Sequence, residues 1–146
     1  MSDLALKKTQ NGRYDLDYSR GDLVLTDSLE NAVLLSIVCW SRDTSIRDAA
    51  NLLPDIGGWW GNSLEDVEIG SQLWKLFKNK LSEPTAVNAV SEAKKALKWM
   101  IDDGVAKDVV VDAVIDGKIL VMKISVVRPD SKKEEFRWQI NWEASI

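Results

Sequence analysis

The chain has 146 residues, 45% of them apolar and 29% charged, a length and balance that fit one soluble domain able to bury a real core. A net charge of −4 argues against a nucleic-acid surface, which needs clustered Lys and Arg; Lys7-Lys8, Lys94-Lys95 and Lys132-Lys133 are flanked by acids and read as solvated faces. No apolar run approaches the ~18 residues of a membrane span, and MSDLALKKTQ lacks the basic-then-apolar order of a signal peptide, so a cytosolic origin is expected.

Residues 1–10 are expected to be a flexible extension of a single domain spanning residues 1–146. From 13 to 26, RYDLDYSRGDLVLT alternates apolar and polar residues about a turn at Ser19-Arg20-Gly21-Asp22, which predicts a short hairpin. Asp27 or Ser28 then caps a helix, with Val33, Leu34, Ile37, Val38 and Ser41 at helical spacing; burial along most of its girth is expected. Ser71 is expected to open a second helix, SQLWKLFKNKL, and Ser82-Glu83-Pro84 a third that runs to about Asp102 before Gly104. The predicted inner stripe of this third helix is Val87, Val90, Ala93, Leu97 and Ile101.

The period then changes to two. Val109, Val111, Ala113 and Ile115 alternate with a polar face carrying Asp108, Asp112 and Asp116, and Asp116-Gly117 predicts a tight hairpin. Leu120, Met122, Ile124 and Val126 form the inner face of the next strand, and Phe136, Trp138, Ile140 and Trp142 that of the last. The expected fold is therefore α+β: an N-terminal β-hairpin, central helices, and a C-terminal three-stranded antiparallel meander packed against the helices.

Chemistry has little to build on. There is no histidine, so the usual general base near neutral pH is missing, together with any Ser-His-Asp or Cys-His arrangement. The single cysteine, Cys39, excludes an intrachain disulfide and a cysteine-based zinc site, and reads as a small buried hydrophobe. Glu65, Asp66 and Glu68 lack the spacing of a calcium loop, and GGWWG lacks the Lys-Ser or Lys-Thr of a phosphate-binding loop. Glycoside hydrolysis is the one reaction that needs only two carboxylates, with Asp55, Glu65, Asp66 and Glu68 as candidates. The plainer reading is that these acids keep an aromatic loop in water. No catalytic residue, metal ligand or cofactor is assigned.

What stands out is seven tryptophans, a residue enriched at interfaces, two of them in LLPDIGGWWGNS. Pro54 stiffens that segment, and Gly57, Gly58 and Gly61 let its backbone approach another surface closely. One indole of Trp59 and Trp60 is expected to anchor the loop and the other to pack on a partner. Pro54, Asp55, Ile56, Gly57, Gly58, Trp59, Trp60 and Gly61 are therefore candidate partner-binding residues, the alternative being that both tryptophans plug the rim of the protein's own core. A second candidate surface is the last strand, EEFRWQINWEAS, with Phe136, Trp138, Ile140 and Trp142: it lacks proline and glycine, as befits an edge that accepts another chain's strand. It can equally be central in the sheet or covered by its own helices.

DIGGWWGNS, SQLWKL and ALKWMIDDGVA carry a resemblance that covers roughly residues 14–142: the chain resembles the Mu-type baseplate proteins of contractile-tailed phages, relatives of the small baseplate wedge subunit that often bears the label "tail lysozyme". The resemblance implies a structural virion protein of the tail baseplate, assembled in the host cytoplasm in several copies around the tail axis. The partners it implies are other wedge proteins, the tail sheath protein and the tail tube, with the sheet as the platform for the first ring of sheath. A peptidoglycan hydrolase of the tail is the alternative function. The Glu-Pro-Arg type tripeptide by which wedge members dock on wedge helices is absent, so no docking residue is carried over from it.

Overall fold

A computed structural model describes residues 2–11, 13–39, 41 and 70–142. They fall into two compact units, residues 1–34 and 35–146.

In the first unit, Arg20 and Gly21 both take positive φ, 53° and 85°, and make the tight turn between β4 (Tyr18–Ser19) and β5 (Asp22–Leu23). The hairpin read from the sequence is present but forms only part of the unit. Residues 1–10 were expected to be an extension; instead β1 (Asp3–Leu4) pairs antiparallel with β6 (Leu25–Thr26), and β2 (Leu6–Lys8) with β3 (Tyr14–Leu16). Two lysines in succession hid the strand signal, because Lys7 and Lys8 are both exposed and the alternation is broken. Asn31 ties the unit together, donating from Nδ2 to the Asp3 carboxylate at 2.8 Å and to the Leu4 carbonyl at 2.7 Å. The Asn31 amide and the Leu4 N–H hold the Asp3 carboxyl below its ordinary pKa.

Helix α1 (Glu30–Val38) opens where the Glu30 N–H donates to Ser28 Oγ at 3.1 Å, the capping expected of Ser28. It is not buried along most of its girth. Leu35 and Val38 are exposed, and the buried stripe is Asn31, Val33, Ser36 and Ile37.

The second unit is built on α2 (Glu83–Asp102) and an antiparallel sheet in the order β7-β8-β9, formed by β7 (Asp108–Asp116), β8 (Ile119–Val127) and β9 (Lys133–Asn141). The predicted meander is the observed one. Pro84 occupies the first turn of α2, where its missing N–H costs nothing, and Gly104, at φ 72°, ends the helix as the Ala106 N–H turns back to the Met100 carbonyl at 2.9 Å. The face of α2 that is buried differs from the predicted stripe: it is Ala86, Ala89, Ala93, Ala96, Leu97 and Met100, while Val87 and Ile101 are exposed. Four alanines let the helix lie close to β7, and closeness is worth more here than the bulk of the valines. Across from them Val111, Leu120, Met122, Ile124 and Val126 are buried.

The β7–β8 hairpin turns on Gly117 (φ 61°) and Lys118, with Asp116 paired to Ile119 as the last strand residue. The two-residue loop is thus one position later than Asp116-Gly117, with glycine first, as a type II′ turn requires. Leu73–Lys78 forms a six-residue 3-10 helix rather than the expected α-helix; with no side-chain cap it holds only two turns before extended Asn79.

Candidate docking edge of the sheet

β9 is an edge strand, since it pairs with β8 and no strand lies beyond it among the described residues. Its register fixes which backbone groups face outward. The Trp142 N–H donates to the Lys118 carbonyl at 3.0 Å and the Arg128 N–H to the Lys132 carbonyl at 2.8 Å, extending the same register from both ends of the ladder. In an antiparallel pair the bonded positions alternate, so even-numbered residues of β9 bond to β8. The N–H and C=O groups of Glu135, Arg137 and Gln139 therefore point away from β8, and all three residues are exposed. That is a row of main-chain donors and acceptors of the kind a second strand completes.

Phe136, Trp138 and Ile140 lie on the inner face, paired with Ile124, Met122 and Leu120, and each is half-buried. Phe136 and Trp138 stack nearly parallel, 7° apart, at 5.9 Å between ring centroids. Helix α2 packs on β7, at the opposite side of the sheet, so the aromatic margin under β9 keeps part of its surface in solvent.

Trp142 is different. It was expected to face a partner, and it is 4% exposed. Its Nε1 donates to the Asn79 carbonyl at 2.8 Å, and its ring meets Phe77 edge-on at 5.1 Å. The extended backbone after the 3-10 helix offers that carbonyl, and the indole seals the end of the sheet. Trp74 and Trp99 also serve the protein's own packing, donating to the Ser41 carbonyl at 3.1 Å and to Ser36 Oγ at 2.9 Å. Sequence spacing could not separate these roles, because the partners lie tens of residues away.

Pro54, Asp55, Ile56, Gly57, Gly58, Trp59, Trp60 and Gly61 lie outside the described residues, as do the carboxylates Glu65, Asp66 and Glu68. Among the described residues no group of three His, Cys, Asp or Glu side chains could hold a metal ion, and no helix is long and apolar enough to cross a membrane. Cys39 is half-buried, and burial pushes its thiol pKa up, the opposite of a nucleophile's environment.

These elements define a small α+β protein with an open, aromatic-lined sheet edge. Residues 29–133 match the family model described as phage protein GP46, and the chain belongs to that family. It is 38% identical to the Mu-like prophage FluMu protein gp46 of Haemophilus influenzae over 144 residues, 97% of this chain and 98% of the relative. It is 36% identical to the baseplate protein gp46 of Escherichia phage Mu over 100 residues, 68% of this chain and 68% of that protein.

Proposed function

We propose that this chain is a structural component of a phage tail baseplate, without enzymatic activity, which docks with other wedge proteins and nucleates the tail sheath by offering the β9 edge to a strand of the sheath protein. The observation that carries the reading is the outward row of backbone groups at Glu135, Arg137 and Gln139. Strand addition at such an edge draws affinity from main-chain hydrogen bonds and specificity from side chains on alternate positions. Half-buried Phe136, Trp138 and Ile140 supply the apolar contact on the inner side. The Pro54–Gly61 segment is the second docking element, on the strength of its composition: two indoles among three glycines suit a half-wet interface. The phage Mu relative is named a baseplate protein, which supports a place in the tail rather than in metabolism.

The test is Gln139→Pro. Proline at an outward position removes one free N–H and raises a ring against an incoming strand, yet leaves the β8 ladder intact. With this variant, purified chain should remain folded while sheath protein no longer assembles on baseplates that contain it. Sheath of normal length on such baseplates would overturn strand donation. Clearing of peptidoglycan by the wild-type chain in a zymogram would overturn the structural reading altogether.

A further inference from the structure

The outer face of the sheet carries a charge pattern that the lone subunit leaves incomplete. Register places Asp112, Lys123 and Arg137 in one row across β7, β8 and β9. Lys123 and Arg137 are directly opposite each other at a position without ladder bonds, where Cα atoms come within about 4.5 Å and side chains crowd. Like charges so placed repel. Both residues are exposed, and neither has a carboxylate within salt-bridge distance among the described residues. Neighbouring Lys133, by contrast, is matched to Glu135 at 3.0 Å. Asp112, Lys123, Lys133 and Arg137 all border one depression of about 830 Å³ that runs over the outer face to the β9 margin. The row reads acid, base, base, and stops at an open edge.

Resting on the reading of β9 as an acceptor edge, we propose that the strand it accepts is acidic on its outward face and sets a carboxylate directly beside Arg137. That carboxylate closes the row as acid, base, base, acid and relieves the Lys123–Arg137 repulsion. It also fixes register, because a slip of one residue turns the acid to the inner face, against Phe136 and Trp138. Positions one before and one after the acid therefore carry large apolar side chains, which cover those rings.

The occupant belongs to another kind of chain. A second copy could offer its own acidic β7, but with its outer face kept on the same side it must run parallel to β9, the weaker pairing, and the contact propagates without closing. Antiparallel pairing of β9 with β9 of a second copy sets Arg137 against Arg137 when it is centred there, and centred on Phe136 it sets Arg137 against Glu135, a carboxylate that Lys133 already holds at 3.0 Å.

The experiment uses the full chain, isotope-labelled, and two nine-residue synthetic peptides. Both carry valine at every inward position; one carries aspartate and the other lysine at the outward positions. Amide shifts at Glu135, Arg137 and Gln139 report binding, and the aspartate peptide should bind at least about tenfold more tightly at low salt, where surface charges are least screened. Arg137→Glu should reverse the preference, and Gln139→Pro should abolish binding of both. Equal binding of the two peptides, lost in Gln139→Pro, would overturn charge selection and leave the acceptor edge standing. Failure of both peptides to move those amides would remove the acceptor edge and the inference with it. A chain that self-associates in sedimentation, and is freed by Arg137→Glu, would overturn the foreign strand in favour of a second copy.

Discussion

Trp99 Nε1 donates to Ser36 Oγ at 2.9 Å, joining α2 to the end of α1 across 63 positions of sequence. Ser36 is fully buried and Trp99 half-buried, so the bond forms where water cannot fully replace it. Ser36→Ala leaves the indole N–H without its partner. A loss of about 1 kcal/mol is expected, read as a Tm lower by about 3 °C in thermal denaturation.

The two tryptophans at the end of the chain should behave oppositely. Trp142→Phe removes the hydrogen bond to Asn79 and leaves a gap against Phe77, so a cost of about 2 kcal/mol is expected in denaturant unfolding. Trp138→Phe keeps an aromatic ring at a half-solvated position and should cost less than about 1 kcal/mol. If Trp138 works at an interface, its replacement should weaken assembly while leaving stability nearly unchanged.

Ala93 and Ala89 have no exposed surface and set the distance between α2 and the sheet. Ala93→Leu adds bulk where none fits, and overpacking should cost about 1–3 kcal/mol. Ala93→Ser, close in size, should perturb far less. Val87→Leu, on the exposed face of the same helix, should leave the unfolding midpoint within experimental scatter.

Asp3 gives the first unit a pH dependence. Its carboxyl is held below the ordinary 3.8 by Asn31 and the Leu4 N–H, so folding favours the ionised form. The resulting stabilisation is fully present above the unfolded pKa and is lost as pH falls through the lower folded value. The protection of the β1 and β6 amides, relative to intrinsic exchange at each pH, should therefore fall on acidification below about pH 4, and Asp3→Asn should flatten that dependence. Unchanged protection in wild type across this range would contradict it.

Much of the fold was legible because its signals were local. Val109 to Trp142 alternates with little interruption, so the meander, its inner face and its order followed from period two; Pro84 and Gly104 bracketed α2. The face of α2 was misread because alanine carries little hydrophobic signal. Its importance comes from the close approach of β7, a tertiary fact. The 3-10 helix was misread because LWKLFK has an apolar stripe that suits either helix, and only the cap and the extended backbone at Asn79 decide between them. For the docking edge, sequence reading found the strand and three of its side chains. It could not find the outward amides of odd-numbered residues or the Lys123–Arg137 opposition, since both depend on register with β8. Trp142 was assigned to a partner because its alternation with Trp138 is perfect, and the Asn79 carbonyl that claims it is 63 residues away.

Residue-resolved amide hydrogen exchange of β9, in the free chain and in baseplates bearing sheath, tests the acceptor edge most directly. In the free chain the Glu135, Arg137 and Gln139 amides should exchange fast beside protected Phe136 and Trp138, and on sheath-bearing baseplates all five should be protected. Protection of the odd-numbered amides already in the free chain, or their continued fast exchange after sheath has assembled, would contradict it.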